Sequence, residues 1–131
     1  MLGIDTNVLV RFLVRDHETQ FQRAQCLIQR QLGTGQPVFV SLLVLLEIEW
    51  VLRSRYQLQK PAIVATLSAL LDATGIQFED EAAIEEALYL WKDNTVDFAD
   101  CLIGAHNRRR GCRATATFDA KAVKLPGFAL V

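Results

Sequence analysis

Residues 1–14 read MLGIDTNVLVRFLV, and this stretch decides the fold. It begins with a short apolar run of the length of a buried strand, meets an acid at Asp5, and continues with a helix-like run. A carboxylate at this junction is suited to cap the helix. It also follows the carboxyl end of a strand, which is where α/β sheets bind their ligands. The stretch therefore predicts a strand–helix unit with a candidate functional acid between its two elements.

The same alternation of short strands and longer helices continues along the chain. Strand-like runs occupy residues 2–4, 38–40, 76–78, 113–117 and 128–131. Helix-like segments occupy residues 6–14, 19–32, 41–55, 61–73, 80–92 and 97–110. This order predicts a parallel sheet that is covered by helices on both faces. With 131 residues, no internal repeat and no linker, we expect a single domain over residues 1–131.

Composition excludes several classes of protein. Apolar residues make up 51% of the chain and the net charge is −1, which excludes a disordered chain and a generally basic nucleic-acid binder. The three cysteines include no CxxC pair, so neither a zinc knuckle nor a disulfide framework is indicated. The longest nearly apolar run, residues 38–46, is too short to cross a membrane. We expect no signal peptide, because no basic segment precedes a long apolar stretch at the N-terminus. We therefore expect a reduced, cytoplasmic protein without a membrane segment.

Four acids occupy positions where a plain structural role is costly or where ligands bind. Asp5 and Asp119 each follow a predicted strand, whereas Glu47 and Asp100 lie within otherwise apolar helical segments. A carboxylate in apolar surroundings needs a cation, a raised pKa or a hydrogen-bonding partner. Oxygen ligands of this kind suit Mg²⁺ or Mn²⁺. The pattern therefore predicts a metal site made of carboxylates.

Helical geometry narrows the choice of acids but leaves alternatives. At about 100° per residue, Asp97 and Asp100 lie about 60° apart and share a face, whereas His106 points away from them. Glu47 and Glu49 lie about 160° apart, so only one of them can face a shared site, and we favour Glu47. Asp97 remains an alternative to Asp100 as the main ligand.

Four motifs, taken together, resemble those of PIN-domain ribonucleases. They are DTNVL at 5–9, SLLVLLEIEWVL at 41–52, DFADCLI at 97–103 and TFD at 117–119, in that order. In length and wording the chain resembles the VapC toxins of VapBC toxin–antitoxin modules. The resemblance covers nearly the whole chain.

This resemblance implies a three-layer α/β/α fold with a parallel five-stranded sheet in the order 3-2-1-4-5. It implies an RNA-cleaving enzyme that uses one or two Mg²⁺ or Mn²⁺ ions, forms a homodimer and is held by a VapB-like antitoxin. By position, the catalytic acids are Asp5, Glu47, Asp100 and Asp119. The implied metal ligands are Asp5, Asp100 and Asp119, with Asp97 as a further acid.

Several neighbouring residues are candidates for supporting roles. Thr6 and Asn7 are suited to orient Asp5 or a phosphate, and Thr117 to hydrogen-bond an adjacent carboxylate. Cationic side chains on two predicted helices are candidates for contacts with RNA phosphates or the antitoxin, namely Arg11, Arg15, Arg108, Arg109 and Arg110.

Plainer explanations and other functions stand beside this hypothesis. Glu47 is alternatively paired with an arginine such as Arg53, and Asp97 is alternatively a simple helix cap. We expect Trp50, Trp91 and Phe98 in the core. The alternative functions are a PIN nuclease of RNA processing without an antitoxin and a catalytically silent PIN binding module. A haloacid-dehalogenase-like phosphatase is disfavoured because the second position after Asp5 is asparagine.

Overall fold

The computed structural model describes all 131 residues and contains six α-helices, five strands and one 3-10 turn. In chain order the elements are β1 (Leu2–Gly3), α1 (Thr6–Leu13), α2 (Glu18–Gly33), β2 (Val38–Val40), α3 (Leu42–Ser54), α4 (Lys60–Asp72), β3 (Ile76–Phe78), α5 (Glu81–Lys92), α6 (Phe98–Arg109), β4 (Thr115–Thr117), the 3-10 turn (Ala122–Lys124) and β5 (Phe128–Leu130). The predicted alternation is confirmed, and β2 and β3 have the predicted bounds.

Local chemistry sets several of the helix starts. Asp5, Ser41 and Asp80 each accept a hydrogen bond from the backbone N–H three residues ahead and so cap α1, α3 and α5. His17 does the same for α2, which therefore begins one residue before the predicted start. The 3-10 turn was not predicted, since a single turn shows no periodicity in the sequence.

The strands form two parallel sheets instead of the predicted single sheet of five. One sheet has the order β1-β2-β3, and β4 pairs with β5 in the other. β1 has two residues, and the N–H groups of Leu2 and Ile4 donate to the carbonyls of Pro37 and Phe39 beside β2. The α/β class with parallel strands is confirmed, whereas a continuous five-stranded sheet is not what the hydrogen bonds define.

The chain divides into two compact units, Met1–Glu79 and Asp80–Val131. In the first unit, α1 packs on α2 and α3, α2 on β2, and α4 on α3 and β3. Its core includes Leu9, Val38, Leu45 and Ile63, all of which are nearly inaccessible to water. The prediction of one domain over the whole chain stays a prediction.

In the second unit, α5 packs along α6, and α6 also contacts β4. Trp91 and Phe98 meet edge to face with their ring centroids 5.2 Å apart, and both are buried as predicted. The ring of Phe128 on β5 lies so close to Gly104 that a Cβ atom at this position would overlap it. Glycine in the middle of α6 thus allows the last strand to approach the helix.

Candidate active site

Asp5 lies between β1 and α1, as the sequence predicts. Its Oδ1 accepts a hydrogen bond from the Val8 N–H at 3.0 Å, and its side chain is exposed. The carboxylate is therefore held at a helix N-terminus, where the helix dipole favours negative charge. Thr6 is buried in the packing of α1, while Asn7 is exposed beside Asp5.

Glu47 lies on the outer face of α3 and is exposed. Leu43 and Trp50, four residues before it and three after it, are 79% and 55% exposed and share its face. The prediction that Trp50 is a core residue is wrong. The opposite face of the helix, with Leu45, Ile48 and Leu52, fills the core instead.

The neighbouring acid, Glu49, has the structural role that was considered for Glu47. Glu49 is buried, and its Oε1 accepts a hydrogen bond from Arg53 Nε at 2.8 Å. The alternative pairing of Glu47 with Arg53 is therefore wrong. Of the two glutamates, Glu47 is the one whose carboxylate is accessible to a ligand.

Three of the candidate acids belong to the second unit. Asp97 occupies the N-cap position of α6, but its side chain makes no capping hydrogen bond. Asp100 is half-buried in the first turn of the same helix. Asp119 follows β4 in a turn in which its Oδ1 accepts a hydrogen bond from the Lys121 N–H at 2.8 Å. Asp97 is thus the N-cap residue by position, as the plainer explanation has it, but its side chain does not make the capping hydrogen bond.

Thr117 has a different partner from the predicted one. Its hydroxyl oxygen accepts a hydrogen bond from the backbone N–H of Asp119 at 3.0 Å, so it fixes the main chain of the acid. We had expected a bond to a carboxylate. Because this hydrogen bond holds the backbone of Asp119, it still limits where the carboxylate of Asp119 can lie.

The three carboxylates of the second unit act on each other electrostatically. Burial raises the pKa of Asp100, and the negative charges of Asp97 and Asp119 raise this pKa further. Asp100 has no cationic side-chain partner. Carboxylate oxygens of this kind fit a hard divalent cation, which would relieve the repulsion. No three His, Cys, Asp or Glu side chains form a finished metal-binding group in the structure.

Four of the five arginines that were predicted to contact RNA or antitoxin are bound within their own unit. Arg11 contacts Asp16 at 3.1 Å, and Arg15 contacts Glu18 at 2.6 Å. The remaining two pairs are Arg108 with Glu86 and Arg109 with Asp80. Arg110, at the end of α6, is exposed and has no ion pair.

A groove in the first unit contains two arginines that the sequence reasoning missed. It has a volume of about 570 Å³ and is lined by residues of α1 and α2 that include Asn7, Arg11, Arg23, Leu27 and Arg30. Arg23 and Arg30 are seven residues apart, and this two-turn spacing on α2 was the available signal.

His106 is engaged away from the acids, as predicted. Its Nδ1 lies 2.7 Å from Asp80 Oδ2, and Arg109 Nε lies 2.7 Å from Asp80 Oδ1. Burial raises the pKa of Asp80, but these two hydrogen bonds, the bond from the Ala83 N–H and the positive charge of Arg109 together outweigh that effect and hold the pKa below its ordinary value. This cluster stabilises the packing of the second unit.

Comparison with known proteins places these residues in a family. The PIN domain family matches residues 3–127, so the chain belongs to the PIN-domain family. The chain is 25% identical to a VapC ribonuclease of Aquifex aeolicus (strain VF5) over 128 residues, which are 98% of this chain and 93% of that protein. The resemblance to PIN-domain ribonucleases of the VapC type is thereby confirmed.

A solved structure is also similar. The crystal structure of Mycobacterium tuberculosis VapC20, a Sarcin-Ricin loop cleaving toxin, matches with a TM-score of 0.43 and 20% identity, over 98% of this chain and 97% of that one.

No helix here has the length and apolar character needed to span a membrane.

Proposed function

We propose that this protein is a Mg²⁺- or Mn²⁺-dependent endoribonuclease and the toxin of a type II toxin–antitoxin pair. The observation that carries the proposal is Asp100, a half-buried carboxylate beside Asp97 and Asp119 with no cationic side chain to neutralise it. The PIN-domain match and the similarity to a VapC ribonuclease, which spans nearly the full chain, support the same conclusion.

The residues of the site divide the chemistry between them. Asp5, Asp100 and Asp119 would hold the cation, and Asp97 would contribute further negative charge. A bound divalent cation lowers the pKa of water and neutralises charge that develops on phosphate oxygens. Glu47, exposed on α3, is available to accept the proton of the attacking water. Its carboxylate is not committed to an ion pair, unlike that of Glu49.

The partners in this proposal are an RNA substrate and a VapB-like antitoxin. An arginine of the antitoxin would pair with the unneutralised carboxylates and displace the cation. We further propose that the protein is a homodimer and works in the cytoplasm. Leu43 and Trp50, the exposed apolar residues on α3, offer contact area to a protein partner.

The test is RNA cleavage by purified, antitoxin-free protein with Mg²⁺ or Mn²⁺. EDTA should abolish cleavage, and Asp100→Asn should reduce kcat/KM at least about 100-fold because it removes charge from the cation site. Glu85→Gln is the matched control, since Glu85 is an exposed acid on α5 in the same unit.

Different outcomes select among the functions. Cleavage that EDTA abolishes but Asp100→Asn spares would move the main ligand to Asp97, which an Asp97→Asn variant then checks. Cleavage without any antitoxin that binds the protein would favour a nuclease of RNA processing. A metal-loaded protein that cleaves no cellular RNA would refute the enzyme and favour a silent PIN binding module.

A further inference from the structure

Two of the three arginines that line the groove between α1 and α2 have no ionic partner. The groove has a volume of about 570 Å³, and its lining includes Arg11, Arg23 and Arg30 but no acidic side chain. Arg23 and Arg30 are exposed, and neither makes an ion pair. They are the only charged residues between positions 19 and 33, so α2 offers no acid within a helical turn of either one. An anionic ligand therefore fits this groove.

The arginines of α2 share one face of the helix. Arg23, Leu27 and Arg30 follow each other after four and three positions, and all of them line the groove. Arg23 and Arg30 are thus separated by about 10.5 Å along the helix axis. A stacked nucleic-acid strand advances about 3.4 Å per nucleotide, so this separation corresponds to about three nucleotides.

The third arginine, Arg11 on α1, is held in a fixed position. Its Nε donates to Gln20 Oε1 at 2.6 Å, and its Nη1 donates to Asp16 Oδ1 at 3.1 Å. The same Nη1 donates to the Tyr56 hydroxyl at 3.3 Å. The other terminal nitrogen, Nη2, makes no hydrogen bond within the protein and so is available to a ligand. Because its partners already hold the side chain, Arg11 would lose little freedom on binding.

The groove begins close to a candidate ligand of the cation. Asn7, which also lines the groove, lies two residues after Asp5, the N-cap of α1. Both residues and the whole groove belong to the first unit. A polyanion with its reacting bond at Asp5 can therefore continue past Asn7 into the groove.

We propose that this groove binds backbone phosphates of RNA to one side of the cleaved bond, with Arg23 and Arg30 as the phosphate-binding residues. The inference rests on the proposed ribonuclease function and adds a binding site for the substrate away from the acids. RNA carries a negative charge at every nucleotide, so it can meet both arginines whatever its sequence. An acidic peptide would need carboxylates at matching positions, and the observations favour it less.

The first experiment measures how salt affects RNA binding. Anisotropy of a fluorescein-labelled RNA single strand in EDTA gives Kd at increasing KCl concentration without cleavage. The double variant Arg23→Gln, Arg30→Gln should raise Kd at low salt at least about tenfold. It should also make the slope of log Kd against log salt shallower by about 1.4, since each phosphate contact on a single strand contributes about 0.7.

Two further variants serve as controls for this measurement. The double variant Arg23→Lys, Arg30→Lys keeps both charges and should retain most of the salt slope. Arg55→Gln is the matched control, because Arg55 is an exposed arginine of the first unit that lies outside the groove and makes no ion pair. It should leave the slope unchanged. Circular dichroism checks that each variant is folded.

Cys26 gives a local measurement inside the groove. It is exposed, and it lines the groove between Arg23 and Arg30 on α2. At an RNA concentration of about ten times Kd, alkylation of Cys26 by uncharged N-ethylmaleimide should slow about tenfold, since mass action leaves few grooves free. The exposed Cys112 of the second unit is the reference thiol. At the same RNA concentration, the double glutamine variant should lose this protection.

The outcomes separate this inference from the proposed function. If the wild type cleaves RNA, an unchanged salt slope in the double glutamine variant or an unprotected Cys26 overturns the inference and leaves the ribonuclease intact. If the wild type cleaves nothing, a shallower slope together with protection of Cys26 retains RNA binding by the groove and refutes only the enzyme. Tighter binding of an oligoglutamate peptide than of RNA, lost in the same variant, would assign the groove to an acidic protein and overturn the inference.

Discussion

The two ends of α6 carry opposite charges, and only the charges at the C-terminal end are paired within the protein. At the C-terminal end, His106 and Arg109 contact Asp80, and Arg108 contacts Glu86. At the N-terminal end, Asp97 and Asp100 have no cationic side-chain partner. Both ends suit the helix dipole, so the dipole does not explain the difference.

The difference separates charges that are paired within the fold from charges that have no ion-pair partner. Paired charges at the C-terminal end satisfy each other and fix α6 against α5. Unpaired carboxylates at the N-terminal end repel each other and lower stability, which a protein tolerates where an external cation or partner binds. Changes at the two ends should therefore have opposite effects on the free energy of unfolding.

The largest expected effect comes from removing Asp80. Asp80→Ala should lower the free energy of unfolding by about 2 kcal/mol, because it removes the cap of α5 and two charge-assisted hydrogen bonds. Urea denaturation measures this loss. Glu85→Ala, at an exposed position on α5, is the control and should change stability by less than about 0.5 kcal/mol. Equal effects of the two variants would contradict the assigned role of the paired end.

A smaller effect separates the charge of Asp80 from its capping bond. Asp80→Asn keeps a good cap but loses the negative charge, so we expect a loss of about 1 kcal/mol at pH 7. Because the folded state lowers the pKa of Asp80, its contribution is present above the ordinary Asp pKa and is lost as pH falls through the folded value.

The pH series gives this prediction its check. The stability difference between wild type and Asp80→Asn should shrink below about pH 4. A difference that stays constant down to pH 2 would mean that the carboxylate charge contributes nothing and that only the shape of the side chain matters.

The smallest expected effect is a gain in stability at the other end. In metal-free protein at pH 7, Asp100→Asn should raise the free energy of unfolding by about 0.5 kcal/mol, because it removes a half-buried charge that faces two like charges. Thermal unfolding in EDTA measures the gain. Added Mg²⁺ should stabilise the wild type and leave the variant unchanged. Destabilisation by Asp100→Asn would show that this end is also part of the structural framework.

Local chemistry made much of the fold predictable. Ser41 and Asp80 predict the starts of α3 and α5, because a capping hydrogen bond needs only the side chain itself and a backbone N–H three residues ahead. The short apolar strands β2 and β3 follow the turn residues Pro37 and Gly75, so their first and last residues could be predicted as well.

Long-range partners were not predictable in the same way. Arg108 and Arg109 were expected to contact RNA or the antitoxin, yet their partners Glu86 and Asp80 lie 22 and 29 positions away in the chain. No local pattern encodes such a pair. For the same reason the sequence could not show that the strands divide between two sheets.

The residue types of the candidate site were predictable from the sequence, but the burial of each side chain was less so. Glu47 was preferred over Glu49 because it lies in the middle of the apolar run whereas Glu49 flanks Trp50, and the structure buries Glu49 and leaves Glu47 accessible. The exposure of Trp50 was not predicted, because the sequence does not show whether a tryptophan at the edge of a buried helix face points to the core or to solvent. Whether all the acids share one cation stays a prediction.

The contact between Phe128 and Gly104 has a consequence for how inactive variants are interpreted. Gly104 lies one helical turn beyond Asp100, so the ring of the last strand rests on the same face of α6 that carries the acid. The strand thereby limits rotation of the helix about its axis, and that rotation determines the direction of the carboxylate. For the ribonuclease proposed above, a substitution of Phe128 would therefore impair cleavage by misalignment while every acid is intact, and added divalent cation would not restore it.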